Sequence, residues 1–474
     1  MRIRLSEHST SQLFYCETKG SFISKPDFDL IQIEGRRKLF SKVYPYSILQ
    51  NHKEECYDLQ ADYYVGLDWL VKGVKYIQVE PKINKKLLSI YEESINKEIE
   101  TSEAAEHEDR ENHYKIHQSL KNESEVAKIN YLKMLLDVYS SNIPSKYIDK
   151  LVEIYWDDEK IKIEQKDDHL TPFLVVQFLG FLKTIVRKGL KKSYYKIKEN
   201  LNNRVKGKIL VGEHIKRNVF KTRLTSTYCE YQVFGEDNQE NQFLKKVFQF
   251  CSSYIENNSK FYGETKGELE NLINYVSPAF HHVGDFGKDN QLKHFKHNPF
   301  FKEYKEAIQI GNLILRQFGF NISSTTKTEV ESPPFWIDMP RLFELYFYQK
   351  LLKANPKLEN KIKYQFSTHG NSLDFLIKDG ENSIVIDTKY KLQYQHGQIH
   401  EDIRQVSGYA RLRKVRGECG INDETHINCL IIYPLLETNE DDFTLESLQN
   451  QLHEGNEIKA YHKVYKFGIE LPII

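Results

Sequence analysis

The sequence is poor in the residues that build several common kinds of site. Its 474 residues include only six cysteines, and none of them forms a C-x-x-C pair, which argues against a zinc site or a disulfide framework. We expect reduced thiols and a cytoplasmic location, because the first residues also lack the apolar segment of a secretory signal. The 67 basic and 67 acidic side chains leave no net charge, so any affinity for nucleic acid must come from local patches.

Two further absences narrow the possible functions. The longest apolar run, residues 173–186, is interrupted by Gln177 and Lys183, so it is too short to cross a bilayer and predicts a buried helix. The chain contains no Gly-x-x-x-x-Gly-Lys-[Ser/Thr] phosphate-binding loop and therefore cannot itself be an NTP-driven motor. Its length and its 30 Tyr and 27 Phe residues are typical of a folded chain with two or three domains.

The most informative stretch is SLDFLIKDGENSIVIDTKYK, residues 372–391. Two apolar-alternating runs flank an Asp-Gly pair, a pattern typical of a β-hairpin with a tight turn. Closing the hairpin symmetrically places Asp374 opposite Asp387, with Cβ atoms roughly 4.5–5.5 Å apart. Two carboxylates at that distance repel each other unless a cation lies between them, and oxygen ligands suit Mg²⁺.

A lysine follows the second of these acids. Side chains alternate along a strand, so Lys389 shares a face with Asp387 and could stabilise negative charge or orient a water, as phosphodiester hydrolysis requires. The alternative is a surface hairpin with solvated charges, because an Asp…Asp-x-Lys pattern often occurs by chance. The apolar run that leads into Asp387 favours a buried site, where a charge needs a partner.

Two predicted helices flank the hairpin. Residues 338–353 predict a helix with a proline near its N-terminus, and Glu344 interrupts its apolar stripe, so that it points either at the site or at solvent. Residues 401–414 predict a second helix, on which Gln405 and Tyr409 share a face because they are four residues apart.

Four segments, MPRLFELYF, SLDFLIK, IVIDTKYK and DIRQVSGYA, together resemble the McrC family, the nuclease subunit of modification-dependent restriction systems in the PD-(D/E)xK superfamily. GKILVGEHIKRN and YCEYQVFGEDNQENQFLK are also similar, so that the resemblance covers residues 205–435. The chain departs from the superfamily pattern at two positions: Leu373 stands where Pro is usual, and Thr388 stands where Ala is frequent. Neither change removes a ligand, because residue 388 would contribute only its backbone carbonyl.

The resemblance implies an α/β (α+β) chain with a PD-(D/E)xK restriction-endonuclease-like core, and a Mg²⁺-dependent DNA endonuclease. It implies that Asp374, Asp387 and the Thr388 carbonyl hold Mg²⁺ and that Lys389 activates or orients the attacking water. The remaining site residues that it implies are Glu344, Gln405 and Tyr409.

A partner is also implied by this resemblance, namely a separate McrB-like AAA+ GTPase hexamer that recognises modified DNA of the 5-methylcytosine type. Two alternatives stay open. One is a stand-alone endonuclease or exonuclease with the same core, and the other is a non-enzymatic adaptor that activates an AAA+ motor.

Composition divides the chain into four predicted regions, and the resemblance implies the docking role of the first and the nuclease role of the last. They are a β-rich partner-docking region (1–83), a charged helical insertion (84–143), a basic helical region that packs on the nuclease core (144–330), and the nuclease core (331–474). Fourteen Lys or Arg residues lie between positions 183 and 223, and a helix predicted over 172–200 would carry a Lys-rich face. The predicted DNA contacts are Lys188, Lys191, Lys192, Lys196, Lys391 and Arg404, with a solvated cationic helix as the alternative.

Overall fold

The structure is a computed structural model that describes residues 2–7, 10–14, 39, 43–51, 56–84, 126–140, 143–148, 151–164, 167–259, 262–263, 265–287, 301–317, 329–368, 370–391, 398–421, 425–435, 443–452, 457–458 and 461–473. Most of the predicted charged insertion, residues 85–125, lies outside these ranges. The chain forms two compact units. One comprises Met1–Ile163 together with Glu331–Ile474, and the other comprises Glu164–Val330.

The N-terminal segment is rich in β-strands, as its alternating sequence predicts. Its elements are β1 (Arg2–Ser6), β2 (Thr10–Phe14), β3 (Tyr46–Asn51), β4 (Cys56–Ala61), β5 (Tyr64–Val71), β6 (Lys75–Glu80), β7 (Lys82–Asn84), β8 (Val126–Lys128), α1 (Tyr131–Ser140), α2 (Ser145–Ile148), β9 (Val152–Ile154) and β10 (Ile161–Glu164). Strands β2, β4 and β3 form one antiparallel sheet in that order, and β7 pairs with β8.

The second unit combines helices with a three-stranded antiparallel sheet of order β11-β13-β12. Its elements are α3 (Leu170–Lys188), β11 (Ser193–Asn202), β12 (Lys208–Ile209), α4 (Val211–Arg217), β13 (Ser226–Gly235), α5 (Gln239–Asn257), α6 (Thr265–Val276) and α7 (Lys302–Gln317). By length and composition α3 would suffice to cross a membrane. However, 78% of its apolar window is buried inside the protein, in agreement with the predicted buried helix.

The helix predicted over residues 172–200 was wrong beyond Lys188. Gly189 has φ 88°, a conformation that suits glycine and ends the helix. The residues that follow then form β11, which pairs along its whole length with β13. The sequence SYYKIKENLN alternates between half-buried and exposed side chains over its first residues, so its period is that of a strand and not of a helix.

The C-terminal segment carries the predicted hairpin within a five-stranded sheet. Its elements are β14 (Glu329–Ser332), β15 (Phe335–Asp338), α8 (Met339–Ala354), β16 (Ile362–Thr368), β17 (Asn371–Ile377), β18 (Ile384–Thr388), α9 (Gln398–Ala410), α10 (Arg413–Cys419), β19 (Asn428–Leu435), α11 (Leu445–Gln451) and β20 (Val464–Glu470). The sheet order is β16-β17-β18-β19-β20, with antiparallel pairs up to β18 and parallel pairs after it. Apolar residues of α9 pack on this sheet, among them Ile403 and Val406.

One strand of the C-terminal segment belongs to the N-terminal sheet. Strand β15 lies between β5 and β9 in the order β1-β6-β5-β15-β9. Its Trp336 is fully buried, and the indole Nε1 donates a hydrogen bond of 3.3 Å to Asp68 Oδ2. Strand β15 belongs to the predicted nuclease core, and β1, β5 and β6 belong to the predicted docking region. These two regions therefore share one sheet.

Candidate active site

The register of the hairpin brings the two predicted acids together. Phe375 pairs with Ile386 between the antiparallel strands β17 and β18, and continuing this register by one residue places Asp374 opposite Asp387. The connection is longer than the predicted tight turn. Residues 378–383 link the strands through a 3₁₀ turn, Gly380–Asn382, and the Ser383 hydroxyl donates to the Gly380 carbonyl.

Asp374 is held by the strand opposite. The Thr388 backbone N–H and the Thr388 hydroxyl each donate to Asp374 Oδ2 over 2.7 Å. The prediction that Thr388 contributes only its carbonyl was therefore incomplete, since its side chain orients one of the acids. Burial raises the pKa of the Asp374 carboxyl, and the two hydrogen bonds from Thr388 oppose that rise.

Asp387 lies in the sheet interior, with only 2% of its surface exposed. Lys389 Nζ lies 2.8 Å from Asp387 Oδ2, an atom that accepts no further hydrogen bond from the residues the structure describes. Burial raises the pKa of Asp387 to about 7, with the charge of Lys389 opposing the rise and the charge of Asp374 adding to it. The two carboxylates therefore sense each other in a site largely closed to water.

Helix α9 contributes a chain of hydrogen bonds that ends on the lysine. Lys389 Nζ donates to Gln405 Oε1 over 2.7 Å, and Gln405 Nε2 donates to the Tyr409 hydroxyl, also over 2.7 Å. The i,i+4 spacing predicted that Gln405 and Tyr409 share a face, and the structure places that face at the hairpin. These contacts fix the position of the ammonium group beside Asp387.

Glu344, on α8, turns toward the acids and not toward solvent. Gln365 Nε2 donates to Glu344 Oε1 over 3.2 Å. Burial raises the pKa of Glu344 to about 8, and the charge of Asp374 is the next cause of the rise. The charge of Asp374 thus acts on both Glu344 and Asp387, although no group of three His, Cys, Asp or Glu side chains within the described ranges has the geometry of a metal site.

Two neighbouring residues were not found by sequence reasoning. Asp402 is 4% exposed; one of its oxygens lies 2.6 Å from Lys391 Nζ and the other lies 4.0 Å from Lys389 Nζ. The sequence does contain a signal for Asp402, namely an aspartate on the sheet-facing side of a predicted helix, three residues before Gln405. Lys391, predicted as a DNA contact, is therefore ion-paired, whereas Arg404 is exposed on α9.

The second is Tyr390, which points away from the acids into the N-terminal part of the same unit. It is 4% exposed, its hydroxyl donates to Glu7 Oε2 over 3.1 Å, and its ring packs against Tyr63 and Phe343. Burial raises the pKa of Glu7 to about 8, so this contact joins a largely protonated buried acid to the residue after Lys389.

A family model described as the McrBC 5-methylcytosine restriction system component matches residues 59–434. The chain belongs to this McrBC family. No curated protein matches it. One similar solved structure is the half-complex from the tetradecameric assembly of Thermococcus gammatolerans McrB AAA+ hexamers with bound McrC (14% identity, 99% of this chain, 95% of that chain, TM-score 0.37). Another is the Thermococcus gammatolerans McrBC complex (14% identity, 75% of this chain, 88% of that chain, TM-score 0.28). Both TM-scores are low, so neither likeness supports an assignment.

In this McrBC-family chain the predicted Lys-rich helical face does not form. Lys188 ends α3, Lys191 and Lys192 lie in the connection that follows, and Lys196 lies on β11. Each of the four is ion-paired, in turn with Glu303, Glu240, Glu236 and Glu230. The prediction of one continuous cationic face was wrong, because the chain changes from helix to strand at Gly189 and acidic partners neutralise the lysines.

The exposed apolar side chains concentrate elsewhere in the second unit. We call residues 203–224, which connect β11 to β13, the hairpin-end segment. It exposes Phe220 by 79% and Leu224 by 83%, and no residue of α4 or of the turn Val219–Lys221 is buried. The segment is nevertheless ordered by its polar contacts, since Asn218 and Asn200 exchange hydrogen bonds of 2.7 and 2.9 Å.

The hairpin-end segment is also strongly basic. It contains seven Lys or Arg residues against the single acid Glu213. Only one of these cations, Arg217, pairs with that acid. Exposed apolar groups beside unneutralised positive charge are typical of an interaction surface.

Proposed function

We propose that this chain is the nuclease subunit of a McrBC-type restriction system, a PD-(D/E)xK endonuclease that hydrolyses DNA phosphodiesters with Mg²⁺. The observation that carries the proposal is the register that sets Asp374 against Asp387, with Lys389 beside them and anchored through Gln405 to Tyr409. A buried pair of acids next to a fixed cation is costly to maintain, so it is typical of a functional site.

The residues present fit a magnesium ion. Burial and mutual repulsion raise the pKa of Asp387 and of Glu344, and Asp387 Oδ2 contacts no donor other than Lys389 among the described residues. A divalent cation would remove this repulsion, and hard oxygen donors are those that Mg²⁺ prefers. Asp374, Asp387 and the Thr388 carbonyl would hold the ion, which when bound acts as a Lewis acid on a phosphoryl oxygen.

The remaining side chains act on the substrate and on each other. The Lys389 ammonium stabilises the negative charge that builds on the phosphate as water attacks phosphorus and the bond to the leaving oxygen breaks. Gln405 holds this ammonium through its carbonyl oxygen, and Tyr409 fixes which way the amide points. Asp402 balances the charge of Lys391 behind them. Such preorganisation is the main means by which a protein accelerates phosphoryl transfer.

A second chain supplies the motor in this proposal. This chain lacks a phosphate-binding loop, so we propose that it binds and stimulates a separate AAA+ GTPase hexamer. The sequence favoured residues 1–83 as the docking region. The exposed apolar and basic side chains favour the hairpin-end segment as a further part of the docking surface, because such groups are stabilised when a partner covers them.

Cleavage of methylated DNA by the chain together with a McrB-like AAA+ GTPase tests the proposal. Asp387→Asn should abolish cleavage and leave the circular dichroism spectrum unchanged. Asp379→Asn is the matched control, because this acid of the same hairpin pairs with Lys361 at the turn and should be dispensable.

Three results would redirect the assignment. Full cleavage by Asp387→Asn contradicts the site. Cleavage by the wild-type chain alone, without nucleotide, indicates a stand-alone nuclease. Stimulation of GTP hydrolysis without any cleavage by the complex indicates an adaptor.

A further inference from the structure

One residue of the central sheet has a backbone conformation that its type rarely adopts. Gln365, within β16, has φ 49°. A residue with a Cβ is strained there, at a cost that glycine avoids, and such strain persists where the surrounding structure imposes it. The other non-glycine residues with positive φ in the described ranges are Asn203, Thr222 and Lys463.

The strain is confined to one position of the ladder. Tyr364 pairs with Phe375 and Phe366 pairs with Leu373, so the register between β16 and β17 is the same on both sides of Gln365. By that register Gln365 stands across from Asp374, yet the two residues do not pair. The distortion therefore does not correct a misalignment of the strands, and it lies directly beside one of the proposed metal ligands.

The side chain of the strained residue ends on another acid of the site. Gln365 Nε2 donates to Glu344 Oε1 over 3.2 Å, so the amide of the residue that stands across from Asp374 also contacts the Glu344 carboxylate. Gln365 is only half-buried, so filling the core does not account for its conformation.

We infer that Gln365 is a positioning residue of the site, held in a strained conformation so that its amide orients the Glu344 carboxylate beside Asp374. The inference rests on the proposed nuclease function and adds to it a residue outside the Asp…Asp-x-Lys pattern. Groups that orient metal-site carboxylates through hydrogen bonds typically change metal affinity or activity by about 10- to 100-fold when removed.

A glycine at position 365 separates this role from a structural one. Gln365→Gly relieves the backbone strain and removes the amide, so the melting temperature should stay the same or rise while cleavage by the complex falls about 10-fold or more. The Mg²⁺ concentration that gives half of the maximal thermal stabilisation, measured with Mg²⁺ alone, should rise several-fold. Gln365→Ala loses the amide and keeps the strain, so its cleavage should fall as in Gln365→Gly while its melting temperature stays below that of Gln365→Gly.

Lys463→Gly is the matched control. Lys463 also has positive φ, 58°, and lies immediately before β20, so its replacement relieves the same kind of strain without touching Glu344. This variant should cleave like the wild type with an unchanged Mg²⁺ dependence.

Wild-type cleavage and Mg²⁺ dependence in Gln365→Gly would overturn the inference and leave the proposed function intact. Absence of cleavage by the wild-type complex would instead remove the proposed function on which the inference rests.

Discussion

The region around Asp374 and Asp387 and the hairpin-end segment differ in which kind of side chain they bury and which they expose. Around Asp374 and Asp387 the protein buries charge, whereas in residues 203–224 it exposes apolar side chains such as Phe220 and Leu224. Both arrangements cost free energy in the isolated chain, because buried charge loses hydration and exposed apolar surface orders water. In the function that we propose, a ligand relieves each cost: a cation in the first region and a partner protein in the second.

The two regions also differ in what fixes them. Backbone pairing on both sides of β18 holds the acids in place, and the register of a sheet is strongly specified wherever one of its faces is buried. The hairpin-end segment is fixed by polar contacts such as the Asn200–Asn218 pair, and its apolar groups take no part in the core. Removing those apolar groups should therefore affect binding and not folding.

The largest expected effect is at Lys389. Lys389→Gln removes the ammonium beside Asp387 and keeps a side chain that can bond to Gln405, so cleavage should fall about 100-fold or more. Binding of the AAA+ partner should be unchanged, because Lys389 lies within the site and its side chain is only 17% exposed. Steady-state cleavage and a pull-down with the partner measure the two quantities. Cleavage within a few-fold of wild type would remove Lys389 from the catalytic set.

The second prediction concerns the apolar side chains of the hairpin-end segment. The double variant Phe220→Ser and Leu224→Ser should weaken partner binding about 10-fold or more, as expected when large side chains leave the centre of an interface. Its melting temperature should stay at the wild-type value, because both side chains are already exposed. Calorimetry with the AAA+ protein measures the affinity.

Tyr275→Ser is the control for this double variant. Tyr275 is 49% exposed on α6, outside the hairpin-end segment, so its loss should not change partner binding. An equal loss of affinity in Tyr275→Ser would show that partner binding does not depend on the hairpin-end segment in particular.

The contrast explains what the sequence could predict. The register of Asp374 and Asp387 followed from a period-two pattern on both sides of a turn signal, and such local patterns survive folding. The face shared by Gln405 and Tyr409 followed from helical spacing. By contrast, we identified Gln365 from its positive φ, and a glutamine in the sequence does not indicate that conformation as a glycine would.

Residues 183–223 show more clearly what could not be predicted from the sequence. Charge counting marked residues 183–223 correctly as basic, but it could not say which lysines meet acids that are distant in sequence. Lys188 pairs with Glu303, across more than a hundred residues, and β11 replaces the predicted helix because its partner strand lies at Ser226–Gly235. Tertiary pairing of this kind overrides local propensity.

A third prediction concerns pH and metal together. The pKa of Asp387 is raised to about 7 and that of Glu344 to about 8, well above their values in an unfolded chain. The folded state therefore binds more protons than the unfolded state, so without metal the free energy of unfolding should fall as pH rises from about 4 to about 8. Mg²⁺ competes with those protons and should raise the melting temperature more at pH 8 than at pH 5.5.

The size of the metal effect follows from mass action. A Mg²⁺ concentration about 100 times the dissociation constant stabilises the folded state by about 2.7 kcal/mol. Differential scanning fluorimetry at the two pH values measures the shift, and Asp387→Asn should abolish most of it. Equal shifts at both pH values would show that Mg²⁺ does not bind at these acids.

The smallest expected effects are at the lysines first predicted to contact DNA. Lys192 and Lys196 are exposed and ion-paired with Glu236 and Glu230, and exposed pairs contribute about 0–1 kcal/mol. Lys192→Ala and Lys196→Ala should therefore change neither cleavage nor melting temperature measurably.

Lys221→Ala, which removes a cation of the hairpin-end segment, should weaken partner binding a few-fold at low salt and less at high salt, because salt screens exposed charges. If instead Lys196→Ala weakened DNA binding while Lys221→Ala had no effect, the functional cations would lie along β11 and not at its end.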